Sequence, residues 1–360
     1  MSDTLVLRPE PTTAVFSSPA FAGHEQVVFG HDPETGLRAI VAVHSTVLGP
    51  ALGGCRFYPY GDDAAALRDV LRLSEGMTAK AALAGLNLGG GKAVIIGRPA
   101  VDHSEALLRA FGRLVDRLAG RYITAEDVGT SEADMDLIRE ETRWVAGLSP
   151  AQGGVGDPSP ATALGVFVAM EAVARHRWGS PSLAGRPVAI SGVGKVGGAL
   201  AARLADAGAR LTVADVDADA AARVAAATGA TVVVPDRIGE VECDIFAPCA
   251  LGGVLNGETI PRLRCGAVVG AANNQLADPS AAALLARAGI VYAPDYVVNA
   301  GGVIHIAAEL DGRAATVDGR VRAIADTVGA ILVRAQTEGI TTAEAAARLA
   351  RARLTRPKPR

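Results

Sequence analysis

Three residues in the first half of the chain have side chains suited to moving protons in a protected site: Lys80, Lys92 and Asp127. Of 35 basic residues only four are lysine, namely Lys80, Lys92, Lys195 and Lys358. Arginine stays charged in almost any setting, whereas burial or a second cation can drive a lysine neutral. A neutral amine near neutral pH is a usable base. Two lysines sharing one pocket would lower each other's proton affinity. Lys92 follows Gly89-Gly90-Gly91, and three residues without side chains let backbone and ligand approach closely. This is not a phosphate-binding P-loop, because Leu86 stands six before Lys92 and Ala93 stands where Ser or Thr would hold magnesium. Asp127 follows a predicted strand, at a loop start where catalytic acids often sit. Composition alone equally allows these three to be a solvated helix end, a loop lysine and a turn residue.

A second site lies further on. Gly192-Val193-Gly194-Lys195-Val196-Gly197 has the form GxGxxG, after a predicted strand and before a predicted helix. The first glycine makes a tight turn, the second admits a pyrophosphate, and the third lets helix and strand pack closely. Helix N-terminal amides then hold the phosphates. The next predicted strand ends at Asp215, 18 residues after Gly197. An acid there accepts hydrogen bonds from a ribose 2′-OH and repels a 2′-phosphate, which favours NAD over NADP. Lys195 belongs to the loop, facing solvent or the phosphates, with no catalytic role.

The elements that must position these residues follow from periodicity. Gln26 to Phe29 and Leu37 to His44 read as paired strands around an Asp32-Pro33-Glu34-Thr35-Gly36 turn. Helical spacing predicts helices over Ala64 to Ala84 and Ser104 to Ala119. Four glycines between Gly85 and Gly91 break the first of these. Ala93 to Ile96 and Tyr122 to Ala125 read as strands. Pro and Gly crowd Ser149 to Pro160, as at a domain boundary or beside an active cleft. From Arg186 strand and helix alternate, which predicts a parallel α/β sheet. The chain turns helical after Gly301, and Thr341 with Glu344 resembles a capping box. The predicted organisation is a first domain at 1–150 and a dinucleotide-binding domain at 151–329. Residues 330–360 are expected to pack back on the first.

Bulk properties exclude several classes. Length fits about two domains, and 49% hydrophobic with 20% charged residues provides a sizeable core. A net charge of −3 argues against a nucleic-acid partner. No run of 18 uncharged apolar residues exists, so no membrane span is expected. Met1 to Pro11 carries acids and prolines rather than a basic start and apolar run, so a signal peptide is not expected. Four cysteines without a CxxC pair point to a reduced, cytoplasmic chain. The scattered histidines have no ligand spacing, and no metal is expected.

Taken in order, several stretches resemble the glutamate/leucine/phenylalanine/valine dehydrogenase family. They are Leu48 to Phe57 (LGPALGGCRF), Gly76-Met-Thr-Ala-Lys80, Gly89-Gly-Gly-Lys92 and Ala125-Glu-Asp-Val-Gly129. Further on come Gly156-Asp-Pro-Ser-Pro160, Gly192 to Gly197, Ala247-Pro-Cys-Ala250, Gly270-Ala-Ala-Asn-Asn274 and Asn299-Ala-Gly-Gly-Val303. Each is moderately specific; the ordered set is highly so. The resemblance is nearest to the leucine and valine enzymes. It implies an N-terminal α/β substrate-binding and oligomerisation domain, a Rossmann-type doubly wound parallel sheet, a cleft between them, and a homo-oligomer. It also implies reversible NAD-dependent oxidative deamination of an amino acid. Lys80 would then bind the substrate α-carboxylate, Lys92 would activate water, and Asp127 would carry the proton to and from the substrate nitrogen. Gly53 and Gly54 would line the substrate backbone. Asn274 and Asn299 would contact the nicotinamide side. Cys55 stands where many relatives have threonine.

The resemblance also bears on the substrate. Glutamate enzymes carry a lysine just before the Gly-Gly pair, where this chain has Leu52. They carry a serine three after the last valine of Asn-Ala-Gly-Gly-Val, where this chain has Ile306. Leu52, Ala125, Val303 and Ile306 would line an apolar pocket, in which a carboxylate would lack a partner. A branched-chain aliphatic amino acid is expected. One methylene separates valine from leucine, too little to decide between them. The alternatives are a phenylalanine dehydrogenase and a non-catalytic dinucleotide-binding regulator on the same fold.

Overall fold

The computed structural model describes residues 15–355. The expectations for Met1 to Pro11 and Lys358 lie outside them. The chain divides into two compact units: residues up to Thr78 together with Leu88–Gln152, and Ala79–Asn87 together with residues from Gly153 onward.

The first unit is a five-stranded mixed sheet. Its strands are β1 (Gln26–Asp32), β2 (Leu37–Ser45), β3 (Ala51–Tyr58), β4 (Gly89–Ile96) and β5 (Tyr122–Glu126), in the order β1-β2-β4-β3-β5. β1, β2 and β4 pair antiparallel, while β3 is parallel to both β4 and β5. Helices α1 (Asp63–Leu83), α2 (Pro99–Asp102), α3 (Glu105–Asp116) and α4 (Glu132–Arg139) complete it. One face of the sheet buries Val41, Cys55, Phe57, Ile95 and Tyr122 beneath Leu108, Phe111 and Val115 of α3. The opposite face packs Ile40, Ala42 and Val94 against Leu67, Val70 and Leu71 of α1. Strands with both faces covered need apolar residues at successive positions, as Ala39 to Val43 and Ala93 to Ile95 show.

The second unit holds a six-stranded, wholly parallel sheet. It comprises β6 (Pro187–Ser191), β7 (Arg210–Ala214), β8 (Thr231–Val232), β9 (Cys243–Pro248), β10 (Cys265–Val268) and β11 (Val291–Tyr292). The order β11-β10-β9-β6-β7-β8 reverses direction between β6 and β9, the doubly wound arrangement whose switch point receives ligands. Its helices are α5 (Ser159–Trp178), α6 (Lys195–Asp206), α7 (Ala218–Thr228), α8 (Ser280–Arg287), α9 (Asp295–Val298), α10 (Gly301–Leu310), α11 (Val317–Arg322), α12 (Ile324–Glu338) and α13 (Thr342–Leu354). α12 packs on α5 and α13. Arg353 of α13 donates to the Ala82 and Leu86 carbonyls at 2.5 and 2.8 Å, tying the 79–87 segment into this unit.

Two strands of the first unit's sheet differ from the sequence expectations. β3 was not anticipated, because Gly53-Gly54 interrupts its apolar pattern. Gly89 to Gly91, expected as a break, are the first three residues of β4. Both follow from contacts that need glycine. A Cβ on Gly53 would lie 1.7 Å from the Gly91 carbonyl oxygen, and one on Gly91 would lie 2.7 Å from the Tyr122 ring. Neighbouring strands here are too close for side chains, so tertiary packing overrides propensity.

Candidate active site

Strand register assembles the first half of the site. The β3–β5 pairing sets Leu52 beside Ile123 and Gly54 beside Ala125. The β3–β4 pairing sets Leu52 beside Gly90 and Arg56 beside Val94. Alternation then puts Leu52, Gly54, Arg56, Lys92, Ala125 and Asp127 on one face of the sheet. Lys92 and Asp127 approach each other across β3, where the intervening residue is Gly54. A Cβ there would lie 2.8 Å from Asp127 Cβ and 2.5 Å from the Glu126 carbonyl oxygen. A side chain at position 54 would therefore collide with Asp127 and the backbone before it.

Lys92 Nζ lies 2.5 Å from Asp127 Oδ2, and the lysine is only 7% exposed. Lys92 was expected to be tuned by a second lysine; its partner here is a carboxylate. Arg56 Nε lies 3.3 Å from the same oxygen. Burial raises the proton affinity of Asp127, but Lys92 and then Arg56 outweigh it, and the carboxyl titrates below its ordinary value. The Asp127 N–H donates to Thr130 Oγ1 at 3.0 Å. That hydroxyl lies 2.9 Å from the Cys55 carbonyl, holding the loop after β5 against β3. Cys55 is wholly buried, and burial pushes its thiol far up, so it is packed structure rather than an exposed, oxidisable group.

Arg56 and Thr130 were missed by the sequence reading. Their signals were present: an arginine two places after Gly54, and a threonine three after the acid. Neither could be placed without β3.

The second unit holds the dinucleotide motif. Gly192 has φ +93°, a left-handed conformation that favours glycine, and a Cβ there would meet Ala250 at 2.7 Å. A Cβ on Gly197 would lie 2.0 Å from the Gly192 carbonyl oxygen, so this glycine sets helix–strand contact. Gly194 differs: nothing lies within 4 Å of its Cβ position, and it caps the N-terminus of α6. That open space beside first-turn amides fits a pyrophosphate. Val196 lies in the first turn of α6, and Lys195 is exposed. Asp215 follows β7. Its carboxylate accepts from the N–H groups of Val193 at 2.7 Å and Asp217 at 2.9 Å, so it also braces the glycine loop.

A polar cluster lies in the same unit. Asn299 Nδ2 donates to the Ala271 carbonyl at 3.0 Å and to Asn273 Oδ1 at 2.8 Å. Its own Oδ1 is buried and has no hydrogen-bond partner among the described residues. Such an acceptor suits an N–H donor on a ligand. Lys80 Nζ donates to Asn273 Oδ1 at 3.3 Å. Asn273, rather than Asn274, therefore joins Lys80 to Asn299. Asn274 adopts φ +53° and donates its backbone N–H to Asp295 at 2.6 Å.

The predicted apolar residues divide between the units. Leu52, 2% exposed, and Ala125 belong to the first, while Val303 and Ile306 are one helical turn apart on α10 in the second. His305, between them, meets the Val155 and Gly156 carbonyls at 3.2 Å, a structural contact. A Cβ on Gly301 would lie 2.1 Å from the Ala161 carbonyl, which fixes α10 close against α5.

Residues 24–144 match the family described as "Glu/Leu/Phe/Val dehydrogenase, dimerisation domain". Residues 153–222 and 216–356 match "Glutamate/Leucine/Phenylalanine/Valine dehydrogenase". The chain belongs to this family. It is 51% identical to a leucine dehydrogenase of Geobacillus stearothermophilus, over 92% of this chain and 90% of that one. It is also 51% identical to a valine dehydrogenase of Streptomyces coelicolor, over 94% of each. A solved L-tryptophan dehydrogenase from Nostoc punctiforme superposes with a TM-score of 0.83 at 46% identity, covering 92% of this chain and 96% of that one. Among the described residues no helix is long and apolar enough to cross a membrane.

Proposed function

We propose that this amino acid dehydrogenase catalyses reversible oxidative deamination of a branched-chain aliphatic L-amino acid. The amino acid, water and NAD⁺ give the 2-oxo acid, ammonium, NADH and a proton. The observation that carries the reading is the Lys92–Asp127 pair, 2.5 Å apart on the sheet face that also carries Leu52, Gly54, Arg56 and Ala125.

Lys80 holds the substrate α-carboxylate. Lys92 takes a proton from the water that adds to the imine carbon. Asp127, kept ionised by its two cations, accepts a proton from the substrate nitrogen and returns it to the departing ammonia. Gly53 and Gly54 border the substrate backbone. The dinucleotide, when bound, supplies the hydride acceptor. Gly192, Gly194 and Gly197 with the first turn of α6 hold its pyrophosphate, Asp215 its adenosine ribose, and Asn299 with Asn274 the nicotinamide end. The Asp215 carboxylate favours NAD, since a 2′-phosphate would meet like charge.

Leu52, Ala125, Val303 and Ile306 select the side chain. A glutamate carboxylate placed against Leu52 would be desolvated without a partner, at a cost of several kcal/mol. The protein also forms a homo-oligomer through its first unit and works in the cytoplasm. NADH formation at 340 nm with L-valine, L-leucine, L-isoleucine, L-phenylalanine, L-tryptophan and L-glutamate tests the reading. Turnover is expected with the three aliphatic substrates. Preference for glutamate or an aromatic substrate would overturn the pocket assignment, and no turnover with any would favour a regulator.

A further inference from the structure

Asp127 has a second cation whose position is itself controlled. Arg56 reaches Asp127 through Nε at 3.3 Å and Asp69 of α1 through Nη1 at 3.0 Å. Tyr60 donates its hydroxyl to the same Asp69 oxygen at 2.6 Å. The guanidinium is planar and rigid, so fixing one edge on Asp69 holds the other beside Asp127 as an ion-pair partner. Burial and the Asp69 carboxylate push the Tyr60 phenol far up, so it remains a donor. The result is an alternating chain: Lys92, Asp127, Arg56, Asp69, Tyr60.

Resting on the deamination reading, we propose that Arg56 is a positioning residue that holds the Asp127 carboxylate in place and ionised for proton transfer, with Asp69 and Tyr60 as its anchor. Arg56 is not a catalytic residue, since its second edge is committed to Asp69 and it acts through Asp127. The groups facing Asp127 are Lys92 from β4, Arg56 from β3 and the Val128 backbone N–H of its own loop. The buried Cys55 thiol and Tyr122 phenol lie within electrostatic reach, and burial keeps both protonated. Lys92 must lend its proton during turnover. Arg56 is the cation that stays charged throughout, so it sets the acid's proton affinity at the moments when Lys92 does not.

The test uses the full-length protein with Arg56→Gln and Arg56→Lys. For Arg56→Gln the acid limb of the kcat–pH profile is expected to move up by about one pH unit. kcat should fall while KM for the amino acid and NADH affinity hold. Arg56→Lys keeps the charge and should return the limb toward wild type, a rescue that loss of packing would not show. A readout independent of turnover is the pH at which Asp127 becomes reactive to a water-soluble carbodiimide, followed by peptide mass spectrometry. Arg56→Gln should raise it. A folded Arg56→Gln protein with both the limb and the labelling pH unmoved would overturn the proposal. Wild-type protein without amino-acid turnover would instead overturn the deamination reading, while labelling would still decide the role of Arg56.

Discussion

The two units build their sites from opposite materials. The first uses titratable side chains, Lys92, Arg56 and Asp127, brought by register from two strands and the loop after a third. The dinucleotide loop of the second uses backbone: a left-handed glycine, an empty Cβ position and the amides at the start of α6. Side chains move protons but need their neighbours held to fractions of an ångström. Backbone amides bind phosphate at any ordinary pH and come already placed by the turn. Mutations in the first unit should therefore act on chemistry, and those in the second on binding.

The sharpest separation is expected from Lys92→Ala. It removes the proposed general base and leaves the Asp127 carboxylate with Arg56 alone. A loss of roughly 10²- to 10⁴-fold in kcat is the scale for such a group. NADH affinity, measured by fluorescence titration, should not change. A comparable loss of NADH binding would mean that the two sites are not separable.

Glycine substitutions test the same contrast within backbone positions. Gly54→Ala puts a methyl group 2.8 Å from Asp127 Cβ, and Gly197→Ala puts one 2.0 Å from the Gly192 carbonyl. Forced overpacking of this kind costs about 1–3 kcal/mol. Gly54→Ala should in addition lower kcat by up to roughly 10²-fold, the scale for a displaced reacting group. Gly194→Ala meets nothing within 4 Å, so its denaturation midpoint should match wild type while NADH binding weakens. Equal destabilisation by Gly194→Ala and Gly197→Ala, read by urea denaturation, would refute the separate roles assigned to the glycines.

This contrast also explains what the sequence revealed. The dinucleotide loop occupies six consecutive residues with a strand before and a helix after, so its physics is local and visible. The same holds for the alternating elements after Arg186, which appear as β6 to β11 with their helices. Lys92 and Asp127 lie 35 residues apart, and only the resemblance joined them, because register across β3 is not written in either neighbourhood. Arg56 shows the limit most clearly. Its partners Asp69 and Asp127 come from a helix and a loop, and β3 itself was hidden by Gly53 and Gly54. Glycines that ordinarily punctuate a chain here permit strand contact. The amide cluster was hidden for a related reason: Asn273 and Asn274 are equivalent by sequence, and only the structure shows that Asn273 is the one bonded to Asn299 while Asn274 takes a left-handed backbone.

The smallest expected effect concerns pH and the stability of the first unit. His24 packs under α1, its Nε2 within 3.0 Å of the Leu71 carbonyl and of Ser74 Oγ, with the His44 ring 4.9 Å away. Burial lowers its proton affinity, the Leu71 carbonyl partly restores it, and His44 lowers it again, for a net decrease. The unfolded chain thus binds this proton more tightly than the folded one, and stability rises with pH in that interval. The contribution is fully present above about pH 6.5 and is lost as pH falls from there through the lower folded-state value. Urea denaturation at pH 7.5 and 5.5 should show a smaller difference for His24→Gln than for wild type. The Gly192–Gly197 loop has no titrating group of its own apart from the exposed Lys195, so NADH affinity should change little over the same interval. An unchanged pH difference in His24→Gln would remove His24 as the source. A parallel loss of NADH affinity would tie the cradle to the same protonation and erase the distinction between the two units.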